Sequence, residues 1–226
     1  MTHPRTSRAF SISITCLFWL ILAMVLPMAA ALAGENDWAR LREQSAQAED
    51  RGDVALAIRL SLKLLELKPN DLPTMVSLSG LYGKAGHPQE QLAWTQRILK
   101  LQPNNFDALI NRGNAMVVLG NAKGARDYFT QAQSLEPANP VAAYSLGVLA
   151  QLQERHAEAA GHFKEALRLS PDFEDALFNL AVSHANLGQY SMALMLLDRL
   201  LTQNPSAADA KALRTDISRR AHAGRN

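Results

Sequence analysis

Five prolines (Pro69, Pro103, Pro137, Pro171 and Pro205) stand 34 residues apart in a chain of 226 residues that holds ten prolines in all. Proline has no backbone N–H and its ring clashes with the preceding helical turn, so a proline in register ends a helix. Four of the five follow a leucine by two residues, at Leu67, Leu101, Leu135 and Leu169. That pattern reads as the last apolar contact of a helix before the chain turns. Stops recurring at a period between 20 and 50 residues point to a stack of identical supersecondary units rather than to a globular core.

The ladder divides the chain into blocks 38–71, 72–105, 106–139, 140–173 and 174–207. Two helices, A and B, must cross closely within each block, which calls for small side chains where they touch. The eighth position reads Ser45, Ser79, Gly113, Gly147 and Ala181, and the twentieth reads Ala57, Gln91, Ala125, Ala159 and Ala193. The twenty-seventh reads Leu64, Ile98, Ala132, Ala166 and Leu200. A large residue fills the twenty-fourth position in the last three blocks (Phe129, Phe163, Leu197), against Ser61 and Thr95 in the first two. A turn glycine falls between the helices at Gly52, Gly86, Gly120 and Gly188, with Glu154 the exception.

With these positions filled, residues 38–207 resemble the tetratricopeptide-repeat (TPR) family, strongly in the third and fourth blocks and loosely in the first two. The resemblance implies an all-α fold: five antiparallel helix pairs stacked as a right-handed α-α superhelix with a concave and a convex side. A solenoid needs an end that tolerates water. Residues 206–221 supply one, with Ser206 and Asp209 as a capping-box-like start, an apolar stripe of Ala210, Leu213 and Ile217, and charges elsewhere. The expected organisation is therefore residues 1–33 as a leader or anchor, 34–37 as a short lead-in, 38–207 as repeats, and 208–226 as capping helix and tail.

Residues 1–33 differ from the rest. Arg5 and Arg8 precede an apolar run from Ile12 to Leu26, Pro27 breaks it, and Ala31-Leu32-Ala33 offers the small residues of a signal-peptidase site. Ser11 to Ala33 is long enough to span about 30 Å of hydrocarbon. Cleavage after Ala33 gives a periplasmic or secreted protein; retention gives an inner-membrane anchor with the body outside the cytoplasm. A lipoprotein signal is absent around Cys16, because Ser13-Ile14-Thr15 lacks the required pattern and the apolar run continues beyond it. Without residues 1–33, Lys+Arg falls from 23 to 21, equal to the 21 Asp+Glu, and no cysteine remains. A neutral body argues against a nucleic-acid partner, which requires a cationic face. Its stability must come from helix packing rather than disulfides.

Catalytic constellations do not emerge. His156 and His162 are six residues apart, so they do not share a helix face as residues four apart would. Gly120-Asn-Ala-Lys-Gly124 lacks the preceding strand and the Gly-Lys-Ser/Thr end of a phosphate loop. No cofactor and no metal are expected, and the chain reads as a non-enzymatic binding scaffold.

In TPR proteins, helix A turns its second, fifth, sixth, ninth and twelfth positions to the concave side. The resemblance thus implies a groove whose sixth positions are Ser77, Asn111, Ser145 and Asn179. These amides and hydroxyls can donate to and accept from the backbone of an extended peptide. Val76, Ile110, Tyr144 and Phe178 flank them at the fifth position, and Asn114, Val148 and Val182 at the ninth. The carboxylate clamp of chaperone-binding TPR domains is not expected, because Ile110 and Asp175 stand where that clamp requires cations. The partner is expected to be a protein or peptide, with a membrane involved only through residues 1–33. Envelope proteins of this kind serve pilus, secretion or cytochrome-maturation assemblies, which the resemblance offers as an alternative role.

Overall fold

The computed structural model describes residues 35–223, so the leader or anchor reading of residues 1–33 lies outside the described part. Two compact units divide the chain after Asn70. Among the described residues, the first unit holds α1 (35–50) and α2 (Val54–Leu67). The second holds the A helices α3 (Leu72–Lys84), α5 (Phe106–Val118), α7 (Pro140–Leu152) and α9 (Glu174–Asn186). Alternating with them are the B helices α4 (Pro88–Leu101), α6 (Ala122–Leu135), α8 (His156–Leu169) and α10 (Tyr190–Gln203), and α11 (Ala208–Ala223) closes the unit. Among the described residues the structure is all-helical, and the second unit packs as successive helix pairs. α1 starts at 35, so most of the expected 34–37 lead-in is helical.

The helix ends follow from local chemistry. Each B helix stops just short of its proline, because the residue preceding the ring is forced towards extended backbone. Lys68 (φ −131°), Gln102 (−138°), Glu136 (−127°), Ser170 (−136°) and Asn204 (−130°) all comply. The starts are capped by Asp53, Asp71, Asn105, Asn121 and Asn139, each accepting from a backbone N–H in the first turn. The stretch after Gly120 is thereby explained, since Asn121 Oδ1 accepts from the Gly124 N–H at 2.9 Å and caps α6.

Gly52, Gly86, Gly120 and Gly188 occupy left-handed backbone, with φ between 72° and 76°. Glu154 holds the same conformation at φ 59°, which is strained for a side chain with a Cβ. Glu154→Gly should therefore stabilise the protein by about 0.5–1 kcal/mol, the relieved strain outweighing the added freedom of the unfolded chain. A higher melting temperature in differential scanning calorimetry checks this.

The core lies between A and B. Every eighth, twentieth and twenty-seventh position is buried, Gln91 included at 3% exposure. Gln91 fits because Gly83 opposes it; a Cβ there would lie 2.7 Å from Gln91 Nε2. Eighth and twenty-fourth positions are matched in size. Gly113 lies under the Phe129 ring and Gly147 under Phe163, whereas Ala181 accompanies Leu197. In the first block the pair is polar, Ser45 Oγ lying 3.2 Å from Ser61 Oγ.

Two local expectations are corrected. Leu67, Leu101 and Leu135 are 47%, 48% and 37% exposed, so they are not the last core contacts of the B helices. That part is taken by Leu64, Ile98, Ala132, Ala166 and Leu200 one turn earlier, all at 3% exposure or less. At the other end, Ser206 does not cap α11. Its hydroxyl donates to Asn204 Oδ1 at 2.7 Å, and the helix begins at Ala208. Ala210 and Ile217 of α11 are buried against Leu197 and Leu200, with Leu213 partly covered beside them.

Candidate functional site: the face of the A helices

The A helices of the second unit lie side by side, α3 against α5, α5 against α7 and α7 against α9. Residues at spacings of four, three and four share one helical face. On α5 that stripe is Asp107, Asn111, Asn114 and Val118; on α7 it is Val141, Ser145, Val148 and Leu152; on α9 it is Asp175, Asn179, Val182 and Asn186.

The sequence-derived residues divide by environment. Val76 and Ser77 on α3 are half-buried, as are Val148, Phe178 and Val182, while Asn114 is exposed. Ile110 is only 7% exposed and belongs to the core with Phe106 and Leu109. Ser145 is 8% exposed, and its hydroxyl donates to the Val141 carbonyl at 2.9 Å. Neither offers much to a partner as the structure stands.

Asn111 and Asn179 link neighbouring A helices. Asn111 Nδ2 donates to Ser79 Oγ at 2.9 Å, and that hydroxyl donates onward to the Val76 carbonyl at 2.8 Å. Because the hydroxyl proton is already directed at Val76, it is the amide nitrogen of Asn111 that must face Ser79. Asn179 Nδ2 donates both to the Asp175 carbonyl at 2.9 Å and to the Tyr144 hydroxyl at 3.1 Å. Both amide nitrogens are thus engaged within the protein. The Tyr144 ring lies 4.9 Å from Phe173 and 5.8 Å from Phe163, centroid to centroid. Burial raises the Tyr144 hydroxyl's pKa, the Asp175 carboxylate raises it further, and the Asn179 bond opposes them.

Val118 and Leu152 are missing from the sequence-derived set, yet they are 69% and 64% exposed in the same stripes. Their 34-residue separation was the available signal. Beyond α9, Phe178, Glu174 and Asp175 line a hollow of about 190 Å³ with Ala207, Asp209 and Leu200. Among the described residues no group of three or more His, Cys, Asp or Glu side chains could hold a metal ion.

Family models described as tetratricopeptide repeat match residues 110–173 and 150–217. The chain carries tetratricopeptide repeats. The TPR packing agrees with solved structures of low sequence identity. A thermophilic TPR protein of Thermus thermophilus aligns with a TM-score of 0.73 at 19% identity, over 80% of this chain and 98% of that one. Pseudomonas aeruginosa pilF aligns at 0.68 and 17% identity, over 84% of this chain and 86% of that one. Among curated proteins, human protein O-mannosyl-transferase TMTC3 is 31% identical over 69% of this chain, and Caulobacter vibrioides protein FlbA is 28% identical over 65%. This TPR chain spans 18% and 24% of their respective lengths.

Proposed function

We propose that this TPR protein is a non-enzymatic scaffold on the outer side of the bacterial inner membrane, holding an extended segment of a partner protein against its A helices. The observation that carries the reading is the row of half-buried polar and aromatic side chains along α5, α7 and α9, among them Asn111 and Asn179, whose amide nitrogens are held by Ser79 and Tyr144. An extended peptide must satisfy its own N–H and C=O groups once it is desolvated. The amide oxygens can take its N–H groups, and the exposed Asn114 can donate to a carbonyl. Phe178 and Tyr144 give apolar anchors on either side. The tests are a pull-down from envelope extract, and calorimetry with the partner so found.

Asn111→Ala combined with Asn179→Ala is expected to weaken that partner at least about tenfold, as is Phe178→Ala, each removing about 1.4–3 kcal/mol of binding. The amide variants will also melt somewhat lower, because they lose the bonds to Ser79 and Tyr144. Affinity is therefore compared below both melting transitions. Asp127→Lys and Lys164→Glu, on exposed positions of B helices, should leave affinity unchanged. Wild-type affinity in both the amide pair and Phe178→Ala would move the site off the A helices.

The outer-side placement rests on the sequence of residues 1–33. Intact mass of the exported protein separates a body beginning at Gly34 from an anchored assembly subunit that retains the apolar run. The transferase named for one relative is not proposed here, since this chain spans 18% of that protein.

A further inference from the structure

The binding face is not uniform from one end of its helices to the other. At the N-terminal end of the stripes stand Asp107 on α5 and Asp175 on α9, both exposed, and Asp209 follows on α11 after a further 34 residues. Asp175 and Asp209 share the hollow beside Phe178 with Glu174. Two acids on neighbouring B helices are matched. Asp198 on α10 pairs with Arg214, and Glu158 on α8 receives Arg126 at 2.7 Å. Among the described residues, no such ion pair forms at Asp107, Asp175 or Asp209. At the C-terminal end of the stripes on α5 and α7, by contrast, Val118 and Leu152 present large apolar groups to solvent. Asp107 and Val118 are eleven residues apart, three turns, so they lie on one face about 16 Å from each other.

We infer that the segment held on this face is an extended strand alternating basic and large apolar residues, its Lys or Arg side chains directed at Asp107, Asp175 and Asp209 and its apolar ones at Val118 and Leu152. This rests on the groove reading above and narrows it to one class of partner. A strand crossing the A helices points successive side chains to opposite edges, here the acidic edge and the apolar one. Helix axes about 8–10 Å apart and about 3.3 Å of strand per residue give close to three residues per A helix. Crossing from α5 to α11 then takes about eight to ten. A lysine or arginine stem can lie on Phe178 while its head reaches the carboxylates of the hollow. An acidic strand would bring like charges into the same space.

The test is fluorescence anisotropy on the full chain with three labelled ten-residue peptides, acetylated and amidated, in which valine alternates with lysine, serine or glutamate. The lysine peptide is expected to bind about tenfold more tightly than the serine peptide, with the glutamate peptide weakest, and the preference should shrink as salt rises to about 0.5 M. Asp107→Asn, Asp175→Asn and Asp209→Asn together should bring the lysine peptide to the serine peptide's affinity and leave the serine peptide unchanged. Val118→Ser with Leu152→Ser should weaken both. Equal affinities for the three peptides, no binding of the lysine peptide, or a lysine preference that survives the asparagine variants would overturn the inference. The groove reading is judged separately, by the effect of Phe178→Ala and the amide pair on the partner protein. If those variants weaken a partner whose bound segment is not basic, the groove stands and the charge pattern falls.

Discussion

Phe163→Ala is expected to lower the stability of its part of the chain by about 3–5 kcal/mol, and Phe129→Ala by a similar amount. Both rings are essentially inaccessible, at 0% and 1% exposure. Phe163 fills the space between α7, α8 and α9 beside Ala150, Ala159, Ala160 and Leu180, with Tyr144 packed against it. Phe129 does the same beside Leu109, Ala125, Ala132 and Leu146. The neighbours of Phe163 are largely alanine on helices already in contact, so they have little length with which to refill a cavity, and its cost belongs at the upper end. Repeats couple chiefly to their neighbours. Hydrogen exchange should accordingly show protection lost in α3 to α8 for Phe129→Ala and in α5 to α10 for Phe163→Ala, with the remainder less affected. Melting curves like wild type for both would mean that the rings do not hold the A and B helices together.

The second large effect is its steric complement. Gly147→Ala would place a Cβ 2.6 Å from Phe163 Cε1, closer than real side-chain contacts, and Gly113→Ala would collide with Phe129. An aromatic ring inside a packed core cannot swing away like the end of a lysine, so the helices must separate. Alanine is ordinarily the better helix former by about 1 kcal/mol; here it should instead destabilise by about 1–3 kcal/mol. The fifth repeat indicates the remedy, because there Ala181 accompanies Leu197. Gly147→Ala combined with Phe163→Leu should therefore cost less than the sum of the two single changes, with a coupling of about 0.5–3 kcal/mol in a double-mutant cycle of chemical denaturation. Additive single effects would show that the eighth and twenty-fourth positions are not matched to each other.

Much of this could be read before any coordinates, because it depends on short stretches of chain. The proline ladder marks the B-helix ends, the turn glycines mark the left-handed turns, and Glu154 is an exception in the sequence that becomes a strained residue in the structure. The small eighth and twentieth positions identify the A/B contact because close helix crossing excludes large side chains there. The candidate site was less legible. The fifth and sixth positions were expected to face a partner as a set, yet Ile110 and Ser145 are buried while Tyr144 and Asn179 are only half-covered.

The reason is geometric. Periodicity within one helix says which residues share a face, and by itself the sequence determined the helices, their length, their turns and the tight A/B seam. How much of a face stays open depends on the size and angle of the helix laid beside it, and those come from residues 34 positions away. Only the tertiary structure decided that Asn111 and Asn179 turn their amide nitrogens to Ser79 and Tyr144. It also decided that Leu67, Leu101 and Leu135 end their helices half in water, and that Val118 and Leu152 stand free beside Asn114 and Val148. A hydrogen bond between repeats requires two side chains to meet within about 3 Å, and no pattern along a single helix contains that distance.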